Sequence, residues 1–201
     1  MGLMMNFDRD TRTALTAGAL KAAAAKNWRD VTLFDIAEAA GRAIGDFAPA
    51  TTSDALDAIE TGFDAAAAQG LKAVDRTQKV RDRLFDILMR RFEAMEAHRL
   101  AVLSIDAAIA ADPGAVAQLH LRHVRAARWA LTLAGLEADG VAGAARAQGL
   151  AVMIGQARQA WRLDIDGDFA KTMASLDKNL RRAEETFGRF GGFEGKPAEQ
   201  P

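Results

Sequence analysis

"VTLFDIAEAAGRAIGDFAPATTSD", residues 31–54, decides how this chain is read. Its first half has the parts of a helix-turn-helix: Thr32 as N-cap, the helical run Leu33-Phe34-Asp35-Ile36-Ala37, and Gly41 where the tight turn belongs. The second half should supply a recognition helix. It carries Asp46 and Pro49 instead, and within the stretch no basic residue follows Arg42. Pro49 disfavours helical geometry at Ala48 and lacks its own N–H, so a third helix over 43–48 is expected to last barely two turns. The stretch poses a choice between a DNA-reading unit and a DNA-binding fold kept for another purpose.

Upstream, "TRTALTAGALKAAAAK" at 11–26 is an alanine-rich helix with Leu15, Ala19 and Ala22 along one face. Asn27-Trp28 ends it, and Trp28, Val31 and Ile36 are expected to lie between this helix and the next. Downstream, Thr51-Thr52-Ser53 is a capping segment for a helix from about Asp54 to Ala68, before Gly70. Five longer helices follow. In 77–97, Leu84, Leu88, Phe92 and Met95 form an apolar stripe opposite Arg83, Asp86, Arg90 and Glu93, with Asp86 and Arg90 spaced for an ion pair. Helices over 98–111 and 115–134 are separated by the breaker "DPG" at 112–114. A helix over 141–162 buries Leu150, Met153, Ile154, Ala157 and Trp161, and "DIDGD" at 164–168 breaks and recaps the chain. The last helix carries Phe169, Met173, Leu176, Leu180, Ala183 and Phe187 in a seven-residue repeat of the sort used in bundle and dimer seams.

Composition agrees with helices. Half of the 201 residues are hydrophobic, tyrosine is absent and only four prolines occur, which leaves little for a sheet. The absence of cysteine rules out disulfides and thiolate ligands. No charged start with a following apolar run marks a signal peptide, and no stretch reaches the roughly 18 apolar residues of a membrane span. A cytoplasmic protein is expected, with any membrane contact peripheral, at the inner face. The net charge of −1 hides an asymmetry. Residues 1–66 hold six basic and ten acidic groups, a net of −4, whereas the remainder is +3. Duplex affinity comes largely from phosphate neutralisation by Lys and Arg, so the charge is on the wrong part for DNA binding.

"ALTAGALKAAAAKNWRDVTLFDIAEAAG" resembles the N-terminal helices of TetR-type transcriptional regulators. The resemblance implies an all-α, TetR-like fold: an N-terminal helix-turn-helix unit of three helices over 1–53 and a larger C-terminal ligand-binding and dimerisation bundle over 54–188; the glycines and prolines after Phe187 predict a flexible tail over 189–201. It also implies a homodimer. Regulators of that family typically follow the turn glycine with Val-Ser, present a tyrosine and often histidines on the recognition helix, and begin the fourth helix with Phe and Lys. Here Arg42-Ala43 follow Gly41, the aromatic is Phe47, Thr51 takes the Phe position and Asp54 the Lys position. A carboxylate in place of a phosphate-facing ammonium removes an attraction and adds a repulsion. If DNA is bound, Thr32, Arg42, Ala43 and Phe47 are the candidates, and Arg42 is the one obvious phosphate or base contact.

A second resemblance accounts for these departures. "RDRLFDILMRRFEAMEAHR" at 81–99 and "RQAWRLDIDGDFAKTMASLDKNLRRAE" at 158–184 look like the lipid-binding accessory proteins of ubiquinone biosynthesis, which have the TetR fold without DNA recognition. The motif is Trp161, the acidic Asp164, Asp166 and Asp168, Thr172, and Leu176-Asp177 before a basic helix end. It implies an isoprenoid or other hydrophobic ligand and a partner enzyme of ubiquinone biosynthesis. The candidate pocket is Leu84, Leu88, Phe92, Met95, Trp129, Leu133, Met153, Ile154 and Trp161; the candidate dimer seam is Leu150, Ala157, Met173, Leu176 and Leu180.

Each of these residues has a plainer reading. Apolar stripes at helical spacing are mostly packing, and sequence does not separate residues that line a cavity from residues that fill it. Phe187, Phe190 and Phe193, with Arg182, Arg189 and Lys196, read first as a helix end and disordered tail, and second as a membrane-docking segment. Arg122, Arg125 and Arg128 read as a solvated face. His98, His120 and His123 are the only histidines and have no third ligand at convincing spacing, while "DIDGD" lacks the remaining ligands of a calcium loop. No catalytic arrangement, phosphate loop or cofactor motif stands out, so a non-catalytic protein without a cofactor is expected.

Overall fold

The computed structural model describes the backbone of residues 7–188 and the side chains up to residue 185. Expectations about residues 1–6, the tail from 189 and the Phe187, Phe190 and Phe193 side chains fall outside the described residues. Among the described residues there are helices and no strands: α1 (Arg9–Ala25), α2 (Leu33–Ala40), α3 (Thr52–Ala68), α4 (Val80–Glu96), α5 (Arg99–Ala110), α6 (Pro113–Leu133), α7 (Gly140–Arg162) and α8 (Ala170–Gly188). Two short 3-10 turns, Trp28–Asp30 and Ile44–Phe47, flank α2. Among the described residues no helix is long and apolar enough to cross a membrane.

Local chemistry explains the boundaries. Asp8 caps α1 by accepting from the Thr11 amide at 2.8 Å. Thr32 and Asp35 form a capping box: the Asp35 carboxylate accepts from the Thr32 amide at 2.6 Å, and the Thr32 hydroxyl accepts from the Asp35 amide at 3.3 Å. Lys26 adds an ion pair to Asp35 at 2.7 Å, and this contact together with the Thr32 bonds holds the Asp35 carboxyl far below the usual range. Gly41, at φ 66°, ends α2 in the left-handed region that glycine enters without penalty. Thr51 and Asp54 repeat the reciprocal pair at the start of α3, two residues earlier than expected. The "DPG" break is also a start. Asp112 accepts from the Gly114 amide at 2.8 Å, and Pro113 opens α6 where its missing N–H costs nothing.

The described residues form two compact units. Those up to Ala65, with Glu93–Arg122, make the first; Ala66–Phe92, with those from His123 onward, make the second. The boundary expected after residue 53 falls inside the first unit. In that unit α1 crosses α2 at Gly18, where a Cβ would sit 2.4 Å from the Ile36 carbonyl oxygen. Leu15, Ala19 and Ala22 are buried as expected, together with Trp28, Val31 and Ile36. Ser104 of α5 ties down the α1–α2 connection, accepting from the Trp28 amide at 3.0 Å and donating to the Lys26 carbonyl at 3.2 Å. In the second unit α7 packs on α8. Arg83, expected on a wet face, instead donates to the carbonyls of Ala134 (2.9 Å), Asp75 (3.0 Å) and Gln78, pinning the α3–α4 connection to the end of α6. Arg90 reaches the Gln69 carbonyl at the end of α3.

Candidate functional site

Three places bear on function: the helix-turn-helix face, the interior of the second unit, and the outer surface of α7 and α8. On the first, the expected third helix is not an α-helix. Ile44–Phe47 is a single 3-10 turn held by i to i+3 bonds from Asp46 to Ala43 and from Ala48 to Gly45. The segment is too short for an α-helical ladder, and Ala48, ahead of Pro49, is extended at ψ 136°. Phe47, a candidate DNA contact, is fully buried and so belongs to the core. Arg42 is paired with Asp10 of α1, and the Thr32 hydroxyl is engaged with Asp35. Ala43 is exposed and offers no polar side chain; of the exposed charges near it in sequence, Glu38 and Asp46 are carboxylates and Arg42, the one cation, is engaged by Asp10. A surface of this kind has little with which to hold a phosphate backbone.

The second unit divides the nine pocket candidates. Leu84, Leu88, Phe92, Ile154 and Trp161 are buried, and Leu133 and Met153 are half-buried. Met95 is buried in the first unit, and Trp129 is 42% exposed. Leu84 and Met153 meet at a cavity, which they line with Leu131, Leu150, Leu180, Ala183 and Arg146. Its volume is ≈ 10 Å³, about the room of one water molecule. Beside Leu84 and Met153 the packing leaves no chamber of ligand size.

Four of the five dimer-seam candidates are buried within the chain. They are Leu150 and Ala157 of α7 and Leu176 and Leu180 of α8, two helices that pack on each other. Met173, at 39% exposure, is the one seam candidate left on the surface. α7 does present a second face: Val141, Ala145, Val152, Gln156, Gln159 and Leu163 recur at steps of three, four and seven, all exposed and all uncharged. Val152 and Leu163 are 50% and 62% exposed.

The Trp161–Leu176 motif is a helix-capping knot. Asp164 is buried, and its carboxylate accepts from the Lys171 amide (2.9 Å), the Thr172 amide (2.8 Å) and the Thr172 hydroxyl (2.6 Å). Burial alone would push the Asp164 carboxyl upward. The Thr172 hydroxyl and the two amides outweigh it and hold the group below the usual carboxylate value. Trp161, Thr172 and Leu176 are fully buried around this cap. Asp168 caps Ala170, and Phe169 takes φ 57°, a left-handed conformation uncommon for a bulky residue.

Sequence reasoning missed the buried charges. Arg122 is not on a solvated face: it is buried and donates to Asp57 and to the Ser53 hydroxyl, each at 2.9 Å. Glu60, Asp64 and Asp106 are also buried in the first unit, and Arg91, His123 and Arg158 in the second. A signal was present. Arg91 falls on the 84-88-91-95 ladder of α4, and Arg158 lies one turn after Ile154 on α7, so both charges sit inside apolar stripes. Among the described residues no group of three or more His, Asp or Glu side chains gathers as a metal site.

No protein-family model matches this chain, and no curated protein matches it. A solved structure does: the crystal structure of a TetR transcriptional regulator from Rhodococcus sp. RHA1 superposes with a TM-score of 0.61 at 14% sequence identity, covering 87% of this chain and 96% of that one. At that identity the likeness shows the fold. The chain has a TetR-like, all-α fold.

Proposed function

We propose that this chain is a non-catalytic, TetR-fold homodimer that holds a hydrophobic, isoprenoid ligand among the helices of its second unit and assists ubiquinone biosynthesis by presenting that ligand to a partner enzyme. The observation that carries the reading is the loss of the recognition helix: a four-residue 3-10 turn stands in its place, with Phe47 turned inward and Arg42 occupied by Asp10. The ligand class and the pathway come from the resemblance at 81–99 and 158–184. Because the interior space is ≈ 10 Å³, uptake requires α8 or its neighbours to move apart, with apolar burial at about 25 cal/mol per Å² repaying the opening. The uncharged outer face of α7 is the surface offered to the second copy, and the protein works in the cytoplasm with peripheral contact at the inner membrane face.

The second reading is a ligand-responsive repressor, the role of the TetR transcriptional regulator whose fold this chain shares. DNA binding separates the two. Purified protein is titrated against its own upstream region and an unrelated duplex across a salt series, and lipid extracted from it is identified by mass spectrometry. Weak, unselective binding at low salt supports the lipid-handling reading. Selective binding with a steep salt slope overturns it and returns Thr32, Arg42 and Ala43 to the reading surface.

A further inference from the structure

We infer that the open groove between α4 and α8 is the entrance to the interior of the second unit, and that it admits apolar chains with an uncharged, hydrogen-bond-donating head while turning anionic heads away. The inference rests on the apolar-ligand reading above and adds to it a route and a head-group rule.

The groove has a volume of ≈ 470 Å³, within the range of about 300–1,000 Å³ typical of small-molecule sites, whereas the cavity beside Leu84 and Met153 offers ≈ 10 Å³. One side chain borders both spaces. Leu180 lines the groove on one side, and on the other it meets the cavity formed by Leu84 and Met153. The neighbouring residues Leu84 and Phe85 divide in the same way, Leu84 to the cavity and Phe85 to the groove. A shift of α8 that displaces Leu180 therefore joins a space large enough for a chain to the apolar interior. Met173, exposed at the groove, has the flexible thioether suited to a greasy ligand of variable shape.

The polar lining sets the head group. Asp82, Asp86 and Asp177 line the groove with a single cation, Arg81. That guanidinium is already committed, donating to Asp82 at 2.9 Å and to Glu184 at 3.3 Å, and Asp82 raises its pKa so that it stays charged. Asp177 is paired with Arg181 at 2.9 Å. Counting Glu184 and Arg181 with the lining, four carboxylates face two guanidiniums, a net of −2. Carboxylates accept hydrogen bonds and donate none, so a hydroxyl head finds partners here while a phosphate meets like charge.

Farnesol and farnesyl phosphate, which share a chain and differ in head charge, test this on the full-length protein. Equilibrium binding of each is measured, and a diazirine-bearing farnesol is photo-crosslinked and mapped by peptide mass spectrometry. Expected are farnesol binding, labelling of the peptides that hold Phe85 and Met173, and binding of farnesyl phosphate weaker by about tenfold or more. Asp86→Lys, which removes one lining carboxylate and adds a cation, should narrow that gap by about tenfold. Farnesol that binds but labels other segments, or a phosphate that binds as well as the alcohol, overturns the groove and its rule while leaving the apolar-ligand reading standing. Failure of the unaltered protein to bind farnesol at all overturns both.

Discussion

Replacing Asp164 by alanine should cost the protein about 2–4 kcal/mol of stability. The figure has two sources. Loss of a helix N-cap costs about 0.5–2 kcal/mol, and the carboxylate also serves a fully buried hydroxyl, Thr172, whose unmet hydrogen bond adds about 1–3 kcal/mol. For a chain of this size each kcal/mol lowers the melting temperature by about 2–4 °C, so a drop on the order of 5–15 °C is expected by circular dichroism. Thr172→Val should cost less, and the double variant should fall short of the sum of the singles, because both remove the same hydrogen bond. The pH dependence has a defined sign. Asp164 has a folded pKa below its ordinary 3.8, so its contribution is complete above that value and is lost as pH falls through the lower folded value. Asp164→Asn removes this component of the acid transition. Urea titration at neutral pH and through the acid range reads both effects. An Asp164→Ala protein within about 0.5 kcal/mol of the parent would refute the capping-knot account and return the Trp161, Thr172 and Leu176 pattern to a ligand-binding explanation.

Gly18→Ala should destabilise the first unit by about 1–3 kcal/mol, because the added Cβ would meet the Ile36 carbonyl oxygen at 2.4 Å and the Ala40 methyl at 2.9 Å; an unchanged melting temperature would argue against so close a crossing. Phe47→Ala should cost about 3–5 kcal/mol in a thermal or urea melt, and a stable variant whose only defect is in DNA binding would put Phe47 back on a reading surface. Val152→Glu places a carboxylate in the middle of the uncharged α7 face and should shift the protein from dimer to monomer in sedimentation equilibrium with its helicity intact; a variant that stays dimeric would move the interface elsewhere.

What the sequence determined by itself was the local structure. Thr32 with Asp35, Gly41, Asp112 with Pro113, and the acidic break at 164–168 set where helices begin and end, because capping and turn chemistry act within a few residues. The apolar stripes of α1, α4 and α7 likewise showed which residues would be buried, and with the resemblance of 14–41 they indicated the TetR-like fold that the superposition shows. Only the tertiary structure decided what those stripes face. The heptad of α8 reads alike whether its partner is another protomer or helices of the same chain, and Leu176 and Leu180 are buried within the chain, where α8 packs on α7. The stripe of Leu84 and Met153 reads alike as wall or filling, and the space between them is ≈ 10 Å³. Arg122 looked solvated until Asp57 and Ser53 were brought to it from α3, more than sixty residues away. Periodicity records that one side of a helix leaves water, whereas the group that replaces the water is supplied by distant segments and depends on how the whole chain packs.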